Sequence, residues 1–235
     1  MSSYNDNFYV DLHNRTLYPA RVILDKLLNV IPDVRSAVDV GCAVGSWLSV
    51  LRDRGVEDIQ GIDGDWVNKD FLEIPAECFK SLDLTKPFQL NKKYDLAMSL
   101  EVAEHLPETS AKGFVGSLTS LSDFVLFSAA IPYQGGTNHV NEQWLEYWNG
   151  LFREQGYQGV DIIRRLIWDD VRIPFWYKQN LVIFVRKEHL DTLKINMELG
   201  LYRPISLVHP EQYISGKVAA RIVLDNMKQK LKSFF

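Results

Sequence analysis

Cysteine is scarce in this sequence, and its scarcity excludes one class of protein. Only Cys42 and Cys78 occur among the 235 residues. Small secreted domains that are stabilised by disulfides carry more cysteines in a much shorter chain. A disulfide framework is therefore excluded as the basis of this fold, and a reducing, cytoplasmic location is expected.

An excess of positive charge is also missing. The 26 Lys and Arg residues are outnumbered by 30 Asp and Glu residues, so the formal net charge is −4. Proteins that bind nucleic acid over a broad surface carry clustered Lys and Arg side chains that neutralise phosphates. No nucleic-acid partner is therefore expected.

Long apolar runs are missing as well. The longest, FVLFSAAI at residues 124–131, is far too short to cross a bilayer. The polar first residues, MSSYNDNFYVDLHNRT, lack the apolar core of a signal peptide. The sequence therefore predicts a soluble protein with no transmembrane segment.

Two kinds of apolar segment alternate along the chain. Short apolar runs bounded by turn residues predict strands, and stretches with apolar residues three or four apart predict helices. The predicted strands cover residues 36–41, 58–63, 78–84, 94–100, 123–131, 157–163 and 180–187. The predicted helices cover residues 20–32, 46–54, 108–121 and 141–156. This alternation predicts an α/β fold with a mostly parallel sheet, whose ligand lies at the carboxyl ends of the strands.

A glycine-containing turn follows the first predicted strand, in AVDVGCAVGSWLSVL at residues 37–51. Gly41 and Gly45 would let a ligand approach the backbone where a strand turns into a helix with free N–H groups. The dinucleotide pattern G-x-G-x-x-G is not met, because Ala43 and Ser46 stand at its second and third glycine positions. The glycine pair alone is also compatible with a turn that only allows close helix packing.

Carboxylates follow the next strands at matching places. Asp63 ends the second predicted strand, where a carboxylate can accept hydrogen bonds from both hydroxyls of a ribose. Asp83 follows the third strand and could accept a hydrogen bond from the exocyclic amine of an adenine. Asp39, inside the first strand, could order the turn or hold an ammonium group through water. Together with the glycine turn, these acids predict a nucleoside site.

Four segments carry a resemblance to a known family. VDVGCAVGSW, GIDGDW, SLDL and YDLAMSLEVAEHLP resemble, in order and spacing, the motifs of class I S-adenosylmethionine-dependent methyltransferases. The resemblance covers residues 36–187 and departs at Ala43, where many members have glycine. It implies a Rossmann-like sheet of seven strands, the last one antiparallel, with helices on both faces. It also implies S-adenosyl-L-methionine as the cofactor.

The resemblance further implies which residues line the cofactor site. The expected cofactor-binding residues are Asp39, Gly41, Cys42, Ala43, Gly45, Asp63, Gly64, Asp83, Leu84, Ser99, Leu100 and Glu101. Among them, Asp63 would hold the ribose and Asp83 with Leu84 the adenine. Residues 99–101 would lie below the sulfonium, and the glycine turn would contact the methionine part. The alternatives are a nicotinamide-dependent dehydrogenase and a catalytically silent adenosine-binding module.

Two histidines stand where the methyl acceptor is expected. His139, in the loop after the fifth strand, is a candidate general base, since an alcohol must lose its proton to be methylated. It could instead cap the following helix or bond to a backbone carbonyl. His105 lies beside Glu101 and Glu104, and all three are candidate catalytic or metal-binding residues. Whether a divalent metal binds there stays open.

The acceptor is indicated by a second, less specific resemblance. NHVNEQWLEYW with IWDD and WYKQN resembles methyltransferases found near or fused to glycosyltransferases in surface-glycan synthesis. It implies O-methylation of a sugar hydroxyl, for example on a deoxyhexose such as rhamnose, and a glycosyltransferase module as a partner. Tyr133, Arg172 and Trp176 are the expected substrate-binding residues. The alternatives are a small aromatic or carboxylate metabolite and a protein side chain.

Both ends of the chain lie outside the expected cofactor-binding domain of residues 36–187. Residues 1–35 are predicted to form a helical lid, with Arg15, Tyr18 and Arg21 as candidates to pair with the cofactor carboxylate. Residues 188–235 are predicted to form a helical extension. Its basic end, residues 215–235, could pack on its own domain, contact a membrane surface or a second copy, or link to another module.

Overall fold

The computed structural model describes residues 6–195 and 204–214, together with 221, 224 and 227. These residues form one seven-stranded sheet with helices on both faces. The strands are β1 (Ser36–Val40), β2 (Asp58–Asp63), β3 (Phe79–Ser81), β4 (Leu96–Leu100), β5 (Phe124–Ser128), β6 (Tyr157–Val160) and β7 (Val182–Arg186). The α-helices are α1 (Asp6–Leu28), α2 (Ser46–Arg52), α3 (Ala111–Leu121), α4 (Leu145–Glu154), α5 (Ile163–Ile167), α6 (Phe175–Asn180) and α7 (Pro210–Ile214).

The strand order places the first strand, β1, inside the sheet, between β2 and β4. The order is β3-β2-β1-β4-β5-β7-β6, and β3, β2, β1, β4 and β5 run parallel. The last strand, β7, runs antiparallel to both of its neighbours, β5 and β6. The predicted α/β fold with an antiparallel last strand is confirmed. Because β1 and β4 lie side by side, the loops after them meet at one edge.

Alternation along each strand divides the core into two layers. Val125 and Phe127 of β5 face α3 and α4, whereas Phe124 and Leu126 face α1, α2, α5 and α6. Successive side chains of a strand point to opposite faces, so a strand covered on both sides reads as a continuous apolar run. This explains why all five residues of β5 are buried.

Several predicted boundaries shift in the structure. The helix predicted at 141–156 begins only at Leu145, because the residues before it bond to neighbouring loops instead of to one another. The N–H groups of Val140 and Asn141 donate to the Glu104 carbonyl, and that of Gln143 donates to the Ala130 carbonyl. The strand predicted at 157–163 ends at Val160, and a short helix follows. The third strand is reduced to Phe79–Ser81.

The first helix is longer than predicted and is part of the core. It begins at Asp6 rather than at residue 20, and its buried residues Ile23, Leu24 and Leu27 pack in the same apolar layer as α2. The Tyr18 hydroxyl donates to Asp170 at 2.8 Å. The Arg15 side chain and almost all of the predicted basic helix at 215–235 lie outside the described residues. Within the described residues, no helix is both long and apolar enough to cross a membrane.

Candidate functional site

A large cavity opens at the carboxyl ends of β1, β2 and β4. Its volume is about 1090 Å³. Of the residues expected at the site, it is lined by Asp39, Gly41, Cys42, Ala43, Asp63, Gly64, Asp83, Leu84, Leu100, Glu101, His105, His139 and Trp176. Parallel strands end at the same edge of a sheet, so residues far apart in sequence meet there. The cavity is large enough for a small-molecule ligand.

The turn after β1 needs glycine for a steric reason. Gly41 has φ +86°, and a Cβ atom there would lie 2.3 Å from Cγ2 of Val102. Gly45 has φ +89°, and its Cβ would lie 2.9 Å from Cγ1 of Ile74. Ala43, with φ +47°, adopts the left-handed region despite its side chain. Because Gly41 has no side chain, the backbone itself forms this part of the cavity wall. Gly45 leaves room for side chains that pack beneath the turn, and it does not line the cavity.

Asp63 is hydrogen-bonded to that turn. Its two carboxylate oxygens accept from the backbone N–H groups of Ala43 and Gly64, each at 2.7 Å. Burial raises the pKa of Asp63 to about 6, and the two hydrogen bonds limit that rise. Each oxygen keeps a further lone pair that can accept a ligand hydroxyl. Asp39 is more deeply buried, and burial followed by the charge of Asp63 raises its pKa to about 8.

Asp83 lies at the rim of the cavity in a different environment. Its carboxylate accepts from the Thr85 hydroxyl at 2.6 Å and pairs with Lys86 at 3.0 Å. The hydrogen bonds from Thr85 and Lys86 lower the pKa of Asp83 to about 2. Leu84 beside it is buried, and the half-exposed ring of Trp66 also lines the cavity. The rim thus combines a charged acceptor with apolar surface.

Glu101 extends into the cavity from the end of β4. Its backbone has φ +56°, and its N–H donates to the Ser128 carbonyl at 3.0 Å. One carboxylate oxygen accepts from the Gln134 amide at 2.8 Å and the other from the Asn180 amide at 3.1 Å. Burial raises the pKa of Glu101, and these amide donors oppose that rise.

Two histidines and a buried carboxylate lie together on the cavity wall. Ligand-type atoms of Glu104, His105 and His139 all lie within 4.8 Å of one another. The two imidazole rings are perpendicular, with centroids 4.8 Å apart. The backbone N–H groups of residues 140 and 141 donate hydrogen bonds to the Glu104 carbonyl, and these bonds hold His139 next to Glu104. The sequence placed His105 with Glu101 and Glu104, whereas the structure places it with Glu104 and His139.

Glu104 is the unusual member of this group. Its side chain is fully buried, and neither carboxylate oxygen has a hydrogen-bond partner among the described residues. Burial, followed by the charge of Glu101, raises its pKa well above the ordinary value. Burial and the neighbouring His139 lower the pKa of His105. A carboxylate and two imidazoles form a donor set suited to a divalent metal.

His139 is oriented by an acid on its own loop. Its Nδ1 lies 3.0 Å from Oε1 of Glu142, so Nε2 is left for another partner. Glu142 also accepts from the N–H groups of Tyr133 and Gly135, which fixes the loop around it. The helix after this loop begins at Leu145, so His139 does not cap it. The arrangement can present a neutral imidazole lone pair to a ligand.

Four of the expected site residues do not line the cavity. They are Gly45, Ser99, Tyr133 and Arg172. Ser99 is fully buried within β4, and Tyr133 is 37% exposed at the surface. The exposed Arg172 side chain is paired with Asp170 and lies over the Tyr18 ring, with its guanidinium carbon 4.2 Å from the ring centroid. Its expected role in substrate binding has no support from its position.

The cavity also contains residues that the sequence did not single out. These are Thr16, Trp47, Asp65, Trp66, Gln134 and Asn138, among others. Trp66 lies within the GIDGDW motif, so an aromatic residue just after the strand-end acid was an available signal. Gln134 had no such signal, because only the folding of distant loops brings it to Glu101.

Comparisons with known proteins agree on the type of domain. Residues 12–162 match a family model described as a methyltransferase domain. No curated protein shows significant sequence similarity to the chain.

Three solved structures illustrate the shared fold. The methyltransferase domain of bacterial CtHen1 is 22% identical, with a TM-score of 0.51 over 74% of this chain and 98% of that one. CalS10, an amino pentose methyltransferase from Micromonospora echinaspora, is 14% identical, with a TM-score of 0.57 over 80% and 99%. A putative methyltransferase of Haloferax volcanii is 13% identical, with a TM-score of 0.59 over 77% and 94%.

Proposed function

Since the chain belongs to the methyltransferase domain family and uses S-adenosylmethionine as its methyl donor, we propose that it methylates a hydroxyl oxygen of a sugar. The observation that carries this proposal is the group of Glu104, His105 and His139 on the cavity wall. A sulfonium is already activated for displacement, so the protein must position the acceptor and help a hydroxyl lose its proton.

The cofactor occupies the part of the cavity beside the glycine turn. Asp63 holds the ribose hydroxyls with its remaining lone pairs, and Asp83, Leu84 and Trp66 surround the adenine. Their positions along the cavity wall support these roles. Glu101 lies below the sulfonium, where a carboxylate stabilises the positive charge.

His139 acts on the acceptor hydroxyl through Nε2. The hydrogen bond between Nδ1 and Glu142 supports this role, because it sets the tautomer and stabilises the imidazolium that forms when Nε2 takes the proton. His139 would take the hydroxyl proton on Nε2, and the cofactor, when bound, would supply the methyl group to the oxygen.

A divalent cation is a second way to activate the hydroxyl, and Glu104 favours it. A fully buried carboxylate without hydrogen bonds is costly unless a cation neutralises it. Glu104, His105 and Nε2 of His139 would hold the cation, with Glu142 orienting the His139 ring. When bound, such a cation lowers the pKa of a coordinated hydroxyl.

The choice of a sugar acceptor rests on the glycosyltransferase-associated resemblance and on the aromatic lining. Trp176 lines the cavity and offers an apolar face on which a sugar ring can stack. A glycosyltransferase module as partner and a cytoplasmic location belong to the same proposal. The alternatives are a small metabolite and a protein side chain, and the negative net charge disfavours nucleic acid.

An acceptor screen with labelled S-adenosylmethionine tests the proposal. Nucleotide sugars, free glycans, phenols and a short RNA are incubated with the protein, and labelled products are separated. We expect label on a sugar hydroxyl, and a loss of kcat of about 10²- to 10⁴-fold in His139→Ala. His189→Ala is the matched control, since His189 does not line the cavity. Label on phenols alone, or unchanged turnover in His139→Ala, would contradict the proposal.

The metal is tested separately by calorimetry with Mn²⁺. We expect binding to the wild-type protein and at least tenfold weaker binding to Glu104→Gln. Loss of turnover in EDTA and its recovery with Mn²⁺ would support the cation. Full turnover in EDTA, with no Mn²⁺ binding, would leave proton transfer to His139 as the only route.

A further inference from the structure

A chain of buried amides connects the segment of residues 204–214 to Glu101. Its members include Gln179 and Asn180 at the end of α6 and Gln212 in α7, which are 1%, 3% and 3% exposed. The segment lies beyond the last strand and beyond the residues that match the family model. Most buried polar side chains in folded proteins are hydrogen-bonded, so the partners of these amides indicate what they do.

The direction of the hydrogen bonds in this chain of amides is set at one end by a backbone N–H, a group that can only donate. The backbone N–H of His209 donates to Oε1 of Gln179 at 3.0 Å. A backbone N–H is only a donor, so the oxygen of Gln179 must face it and the NH₂ group must face the other way. That NH₂ group donates to Oε1 of Gln134 at 2.8 Å and to Oε1 of Gln212 at 2.6 Å.

The same direction continues to Glu101. Oε1 of Gln134 accepts from Gln179 and, at 2.8 Å, from Asn180, so the NH₂ group of Gln134 faces the carboxylate. Gln134 and Asn180 then donate to different oxygens of Glu101. Hydrogen bonds donated to a carboxylate favour its ionised form. A reversed Gln134 amide would instead present a carbonyl oxygen to Glu101.

Contacts outside the chain of amides also hold the segment of residues 204–214 in place. The Arg164 guanidinium, fully buried, donates to the Ile205 carbonyl at 2.9 Å. The buried Lys178 pairs with Glu211 at 2.9 Å. These contacts hold the His209 N–H in place, so the orientation of Gln179 follows from the docking of the whole segment.

We infer that the segment of residues 204–214 helps to build the cofactor site, and that Gln179 and Gln134 are positioning residues that hold the Glu101 carboxylate in place against the sulfonium. The inference rests on the proposed location of Glu101 at the cofactor. It explains why polar residues at the end of α6 are buried between the sheet and a segment outside the family domain.

Comparing two cofactor forms tests this role without knowledge of the acceptor. S-Adenosylmethionine carries the sulfonium charge and S-adenosylhomocysteine does not, so a charged Glu101 favours the first over the second. Calorimetry measures Kd for both ligands in the wild type, Gln179→Met and Gln134→Met. We expect both variants to lose at least about threefold more affinity for S-adenosylmethionine than for S-adenosylhomocysteine.

Ile205→Ala is the matched control, because the Ile205 side chain is exposed and the substitution leaves the amides, the Glu211 pair and the backbone carbonyl that Arg164 binds in place. We expect its ratio of the two Kd values to equal that of the wild type. Gln134 lies in a partly buried loop, so Gln134→Met keeps the test decisive if Gln179→Met does not fold. Equal losses for both ligands in the amide variants would overturn the inference. Failure of the wild type to bind either ligand would instead contradict the cofactor assignment itself.

Discussion

At the scale of single residues, the site concentrates acids whose charge is costly. Asp39 and Asp63 are both buried at the ends of adjacent strands, and their pKa values rise to about 8 and about 6. A ligand with a positive ammonium group or with donor hydroxyls would offset part of this cost. Without a ligand, the residues that would bind it therefore lower the free energy of unfolding.

The cost at Asp39 predicts a pH dependence of stability. An acid with a higher pKa in the folded than in the unfolded state binds its proton more tightly when folded. The contribution of Asp39 to the free energy of unfolding therefore falls as the pH rises from about 4 to about 8. We expect Asp39→Asn to raise the free energy of unfolding most at pH 8, less at pH 6, and to change it little at pH 4.

Urea denaturation of both proteins at pH 4, 6 and 8 measures this difference. Asp65→Asn is the control, because Asp65 is exposed and its substitution should not change stability. An Asp39→Asn variant that is less stable than the wild type at pH 8 would contradict the assignment of the cost to this carboxylate.

At the scale of elements, short helices between β6 and β7 attach the segment of residues 204–214. Arg164 of α5 forms a buried pair with Asp161 and reaches two backbone carbonyls, one of them in the segment. Sequence patterns did not predict α5 or α6, because each has only five or six residues and depends on tertiary contacts.

Removing the arginine should destabilise this region strongly. In Arg164→Met the Asp161 carboxylate is left buried without its partner, which lowers the free energy of unfolding by about 3–5 kcal/mol. Adding Asp161→Asn should restore part of this loss. The neighbouring exposed Arg165 is the control, and Arg165→Met should change stability by less than about 1 kcal/mol. Urea denaturation of the four proteins measures these values, and equal losses in the two single variants would contradict the role of the buried pair.

At the scale of the whole molecule, the sheet order gathers the site. The central position of β1 places the glycine turn between the loops after β2 and β4, and β5 adds the loop that carries Gln134 and His139. These loops contact the ligand together, so ligand binding should stabilise the domain as a unit.

This coupling predicts a thermal shift. At a concentration of 100 times Kd, S-adenosylmethionine should contribute about 2.7 kcal/mol, which raises Tm by about 5–10 °C for a chain of this size. NAD at the same concentration should raise it little, because the turn lacks two glycines of the dinucleotide pattern. Differential scanning calorimetry measures both shifts. An equal shift with NAD would support the dehydrogenase alternative.

The sequence by itself determined the sheet, the cofactor class and the main wall of the site. Short, mostly apolar strands alternate with helices, and this local pattern depends only on neighbouring residues, so it can be identified from the sequence alone. The glycine turn and Asp63 could be identified because their spacing along the chain reflects the length of one strand–helix unit. The cofactor roles of the individual residues stay predictions.

Only the tertiary structure decided how the acceptor side is built. Glu104 and His105 could be paired from sequence, but His139 joins them through backbone bonds between loops more than 30 residues apart in the chain. The amides at Glu101 come from two distant segments, the loop after β5 and α6, and the segment of residues 204–214 fixes their direction. Such contacts leave no periodic pattern in the sequence, because a hydrogen bond between distant segments depends on where the fold places their loops and not on the neighbouring residues in the chain.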